Sequence, residues 1–98
     1  MEPFKVIIVE DVPLELKGTE GIFKNEIPEA EIIGTAESET SYWRLIKQQV
    51  PDLVLLDLGL GGSTTIGVEI CRQTKETYPA LKAVSYTHLR AHETLANL

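Results

Sequence analysis

Residues 51–61 read PDLVLLDLGLG, and the fold is decided here. Leu53, Val54, Leu55 and Leu56 are apolar without alternation, the pattern of a strand covered on both faces in the middle of a parallel sheet. The run ends in one acid, Asp57, and then breaks into glycines. An acid where a buried strand gives way to a glycine-rich loop sits at the carboxyl edge of the sheet, where open α/β folds place their chemistry. Asp57 is therefore the first candidate site residue. Its competing role is a cap on the strand or on the next helix.

Upstream, residues 4–9 (FKVIIV) form a β-branched strand signal that ends in Glu10 and Asp11. Pro13 suits the first turn of a helix, because its fixed φ and missing N–H cost nothing there. Two roles are open to Asp11: helix cap and metal ligand. The helix is predicted over 13–25, with Leu14, Gly18, Gly21, Ile22 and Asn25 on one face. Each glycine weakens it by about 1 kcal/mol relative to Ala, which suggests close packing against the sheet. A second strand is expected over 31–36 (EIIGTA). Ser38 then caps a helix over 39–49, in which Tyr42, Leu45, Ile46 and Gln49 share a stripe and Trp43 is a partly exposed packing residue.

Downstream of the central strand, residues 59–67 read GLGGSTTIG. This is no P-loop, because no Lys is followed by Ser or Thr, and Gly59, Gly61, Gly62 and Gly67 miss the G-x-G-x-x-G register. It reads as a mobile active-site loop. A third helix is predicted over 68–78, with Val68, Cys71 and Thr74 on one stripe and Ile70 beside it. Pro79 stops it, and Leu81 begins a fourth strand.

Composition narrows the function classes. The 98 residues, 43% hydrophobic, describe one globular domain. No apolar run approaches the ~20 residues that span a bilayer, and no secretory pattern opens the chain, so cytosol is the expected compartment. A formal charge of -6 argues against direct contact with nucleic acid, whose phosphates call for clustered Lys and Arg. The single cysteine, Cys71, reads as a small buried apolar residue with no redox role.

Four strands alternate with three helices, which gives a parallel sheet with helices on both faces. The ends of the first and third strands then meet, and Glu10 and Asp11 face Asp57 across an acidic pocket. Three carboxylates so close repel one another, and a hard divalent cation with oxygen ligands, magnesium, relieves the repulsion. A carboxylate beside magnesium is a natural phosphoryl acceptor, since the ion neutralises charge on the transferring oxygens.

At this point the chain resembles the receiver domains of two-component response regulators. The matching residues are Glu10-Asp11 after the first strand, the PDLVLLDL run holding Asp57, and Gly67 opening the third helix. The resemblance implies a flavodoxin-like, three-layer α/β/α fold. It also implies that Asp57 accepts phosphate from a sensor histidine kinase or histidine phosphotransfer protein. Magnesium would be held by Glu10, Asp11, Asp57 and the backbone carbonyl of Gly59. Two alternatives stay open: a phosphohydrolase with Asp57 as nucleophile, and a receiver-like interaction module that is never phosphorylated. Phosphatases of the dehalogenase type usually place an Asp two residues after the nucleophile, where this chain has Gly59. Leu60-Gly61 also departs from the Met-Pro common in the receiver loop.

The same resemblance marks parts of the family pattern as missing: the last strand with its Lys, the last two helices, and a C-terminal output domain of a kind that binds DNA. With the fifth helix missing, Ile7, Val9, Leu53 and Leu55 are predicted to share the sheet face of the first helix and to stay partly wet. From Val84 on, VSYTHLRAHETLANL looks like the in-frame translation of a transposase-type sequencing adaptor, the alternative being a genuine amphipathic tail, since Leu89, His92 and Ala96 fall at helical spacing. The expected organisation is thus an incomplete receiver over 1–82 and a non-native tail over 83–98. Within that tail, Thr87 lies near the family's switch hydroxyl. His88 and His92 stand four apart like helical metal ligands, but Ala96 occupies the place of the second zincin histidine.

Overall fold

The computed structural model describes residues 3–57, 59–60 and 64–86. The described chain alternates β1 (Phe4–Val9), α1 (Pro13–Glu26), β2 (Ala30–Ala36), α2 (Glu39–Gln48), β3 (Leu53–Asp57), α3 (Thr64–Thr77) and β4 (Lys82–Tyr86). All pairings are parallel, in the order β2-β1-β3-β4. The central stretch is thus an interior strand, and all five residues of β3 are buried. This is the expected flavodoxin-like parallel sheet, with four strands and three helices.

Alternate strand residues point to opposite faces, so the register sorts the core. Val6 pairs with Leu53 and Ile8 with Leu55; these four pack with Phe23 of α1, flanked by Leu16 and Ile22. Ile7, Val9, Val54 and Leu56 line the other face with Tyr42 and Ile46 of α2 and Ile70 of α3. The predicted wet set is corrected on both counts. Ile7 and Val9 belong to the face opposite Leu53 and Leu55, and all four are at most 1% exposed. Burial of each such side chain contributes roughly 1.5–3 kcal/mol, so both faces of the sheet stabilise the fold.

The helix faces also shift from expectation. On α1 the buried positions are Thr19 and Phe23, whereas Leu14 is 76% exposed. A β-carbon at Gly18 or Gly21 would meet nothing within 4 Å, so close packing is not their reason. The close approach is at Gly34 of β2, where a β-carbon would lie 3.1 Å from both methyl carbons of Leu45. β2 carries an irregularity there: Val6 pairs with Ile32, but Ile7 pairs with Gly34, skipping Ile33.

Helix α2 follows its sequence closely. Ser38 and Ser41 form a reciprocal capping box, each hydroxyl accepting the other's backbone N–H, at 3.2 and 3.1 Å. Trp43 is half-buried, packs its ring against Tyr42 with centroids 4.8 Å apart at a 53° tilt, and donates its ring N–H to Glu39 at 3.2 Å. Helix α3 begins at Thr64, four residues before the predicted start. Its buried stripe is Gly67, Ile70 and Thr74, with Cys71 half-buried and Val68 56% exposed. On its outer face Arg72 bridges Glu69 and Glu76 and holds the Glu69 carboxyl down to about 2, chiefly by hydrogen bonding. Exposed pairs of this kind add little stability.

Strand β4 runs to Tyr86, and Val84 packs against the α1-side cluster. The rest of the expected tail, with Thr87, His88, His92 and Ala96, lies outside the described residues, as do position 58 and positions 61–63 of the predicted mobile loop. None of the described helices is long and apolar enough to cross a membrane.

Candidate functional site

Strand pairing assembles the site. β1 and β3 are neighbours with Val9 opposite Leu56, so Glu10 and Asp57 are the next residues along two adjacent strands. Each of Glu10, Asp11 and Asp57 brings a carboxylate oxygen to a common point, all within 4.8 Å of one another. Glu10 and Asp57 are 1% exposed, and Asp11 is half-buried. The structure thereby places together the three acids singled out from the sequence, at the carboxyl edge of the sheet.

Backbone groups orient two of them. The Glu10 N–H donates to the Ala36 carbonyl at 2.8 Å, which fixes the chain as it leaves β1. The Glu10 side chain turns back to accept the Val12 N–H at 3.3 Å through Oε2. Asp57 Oδ1 accepts the Gly59 N–H at 3.0 Å. Both are i to i+2 contacts; the second is the Asx type that D-x-G sequences favour, a signal the sequence reading left unused. Gly59 thus stands beside the Asp57 carboxylate. The N-cap of α1 falls on Val12, which makes no side-chain capping bond, one residue past the Asp11 named as a candidate cap.

Among the described residues the donor set is three carboxylates and no nitrogen or sulfur, a hard, anionic set that suits a small divalent cation such as Mg2+ or Ca2+ better than zinc or copper. Two of the acids are buried, so their repulsion is poorly screened by water, and a cation is the direct way to lower it.

Comparison with known proteins bears on this edge of the sheet. The family model for the response regulator receiver domain matches residues 6–98. The chain belongs to this family. A curated relative, the methanol utilization control regulatory protein MoxX of Paracoccus denitrificans, is 28% identical over 89 residues. That match takes in 91% of this chain and 39% of MoxX. Among solved structures, the RcsB response regulator of Salmonella typhimurium, described for its conformational dynamism in DNA interaction, superposes with a TM-score of 0.77 at 22% identity. It covers 98% of this chain and 50% of its own. A LuxR-family two-component response regulator from Aurantimonas sp. SI85-9A1 gives 0.75 at 23% identity, over 94% of this chain and 69% of its own. At these identities the structural likeness concerns the receiver fold. The chain spans about two-fifths of MoxX and half of RcsB.

Proposed function

We propose that this receiver domain is a signalling phosphoacceptor in which Asp57 takes a phosphoryl group from a sensor histidine kinase or a histidine phosphotransfer protein. The observation that carries the reading is the convergence of Glu10, Asp11 and Asp57 within 4.8 Å at the ends of two adjacent strands. Glu10, Asp11, Asp57 and the backbone carbonyl of Gly59 would hold Mg2+. When bound, the ion supplies charge neutralisation on the phosphoryl oxygens. The chain's own residues do the rest. The Gly59 N–H holds Asp57 by Oδ1, and burial excludes water from the carboxylate. An Asp57 oxygen attacks phosphorus, the bond from phosphorus to the donor's imidazole nitrogen breaks with its electron pair going to that nitrogen, and the ring, protonated on its other nitrogen before transfer, leaves as neutral imidazole, with an acyl phosphate as product.

In the full-length protein such a domain works in the cytosol and controls an output module that binds DNA. The charge of -6 keeps the receiver itself off nucleic acid. The test is incubation with acetyl phosphate and Mg2+ followed by intact-mass and peptide mass spectrometry. A stoichiometric, acid-stable and base-labile adduct on the Asp57 peptide is expected, and Asp57→Asn abolishes it. Equal labelling of that variant rejects the assignment, and repeated donor turnover without an adduct indicates a hydrolase.

A further inference from the structure

Away from the acidic cluster, the core between the sheet and α2 and α3 contains a pair of facing hydroxyls. Tyr42 Oη and Thr74 Oγ1 lie 2.7 Å apart, and both residues are 0% exposed. Burial pushes the Tyr42 hydroxyl up to about 12, against the opposing pull of Thr74. Burial alone does not call for such a bridge. Phe and Val have nearly the same shapes, and replacing both partners of a buried hydrogen bond by apolar groups is close to neutral. What the bridge adds is geometry. Apolar seams tolerate small slides and rolls of a helix, whereas a hydrogen bond weakens steeply once distance or angle departs from the optimum.

The setting of α3 against α2 matters because of what lies between Asp57 and the start of α3 at Thr64. Two residues of it are described, and both are held. Gly59 donates its N–H to Asp57 Oδ1 at 3.0 Å, and the next residue, Leu60, is 2% exposed within the same cluster as Tyr42, Ile46 and Ile70. One packed body therefore runs from the hydroxyl bridge through Ile70 and Leu60 to the residue that holds the acceptor carboxylate.

We propose that Tyr42 and Thr74 are positioning residues: their hydrogen bond fixes α3 against α2 and, through Leu60, seats Gly59 on Asp57. The consequence for phosphoryl transfer rests on the reading of Asp57 as acceptor, but the seating exists without any reaction. The test compares wild type, Tyr42→Phe, Thr74→Val, the double variant of these two, and Thr74→Ser by amide hydrogen exchange, urea unfolding and labelling with acetyl phosphate and Mg2+. In Tyr42→Phe and Thr74→Val the Gly59 amide exchanges about fivefold faster than the lowered urea midpoint of a variant with one unsatisfied buried hydroxyl accounts for. In the double variant, which leaves neither hydroxyl unsatisfied, it does so with the midpoint close to wild type, as local loosening requires. Thr74→Ser, which keeps the hydroxyl, restores slow exchange. The initial rate of Asp57 labelling falls in parallel. Unchanged exchange at Gly59 overturns the proposal. So does acceleration spread evenly over the chain with a lowered midpoint, or failure of both apolar variants to fold, since the bridge would then serve stability alone. Absence of label in the wild type would reject the acceptor reading, and exchange at Gly59 would still decide the bridge.

Discussion

Gly18 and Gly21 stand in the middle of α1, and a β-carbon built on either meets nothing within 4 Å. Replacing both by Ala therefore adds no clash and removes the backbone entropy that glycine loses on entering a helix, about 0.8–1.0 kcal/mol per position. The two positions stand three residues apart on one helix, so any coupling between the added methyls departs from the sum for independent action, about 1.5–2 kcal/mol. For a domain of this size that raises the melting temperature by roughly 6–16 °C, taking about 4–8 °C per kcal/mol. Urea denaturation followed by circular dichroism and by Trp43 fluorescence measures it. Gly34→Ala is the control with the opposite sign: its β-carbon would lie 3.1 Å from two methyl carbons of Leu45. Overpacking of about 1–3 kcal/mol then outweighs the smaller gain of removing a glycine from a strand. If the α1 double variant is no more stable than wild type, or Gly34→Ala is stabilised equally, the reasoning from open space around these positions fails.

Other outcomes follow from the site and the core. Asp11→Ala should weaken Mg2+ binding far more than Glu29→Ala, because Asp11 belongs to the convergent acids and Glu29 is exposed; equal affinities in a calorimetric titration would remove Asp11 from the ligand set. Tyr42 is raised from 10.0 to about 12, chiefly by burial. The folded state thus favours the neutral phenol, and this contribution is complete below pH 10 and lost as pH rises toward about 12. Urea midpoints should fall across that window in wild type and less steeply in Tyr42→Phe; parallel slopes would contradict the shift.

Much of the fold was legible because its signals are local and periodic. The unbroken apolar run Leu53–Leu56 named the interior strand, and Ser38 named the start of α2. The acid cluster was legible through the flavodoxin-like order that the receiver resemblance implies: β1 lies beside β3 in that order, which strand and helix alternation alone does not fix. What escaped depended on tertiary packing. The start of α3 reads as loop, because Thr64, Thr65, Ile66 and Gly67 are weak helix formers, yet burial of Gly67 and Ile70 draws the segment into the helix. The inward face of α1 was missed because Leu14 looks like a core residue by type, while the sheet selects Thr19 and Phe23. The face assignment of Ile7 and Val9 needed the strand register, which parity within a single strand cannot supply.

The acids of the cluster stand on either side of a long stretch of chain, Glu10 and Asp11 after β1 and Asp57 after β3. While the polypeptide collapses, the two ends of the cluster are apart and repel nothing. Their repulsion arises only when β3 docks beside β1 with Leu56 against Val9. The electrostatic penalty of the site is therefore concentrated in one pairing step, and any mobile cation that screens charges at short range enters the rate of that step. Ionic composition thus acts on how quickly this sheet closes as well as on how long it stays closed.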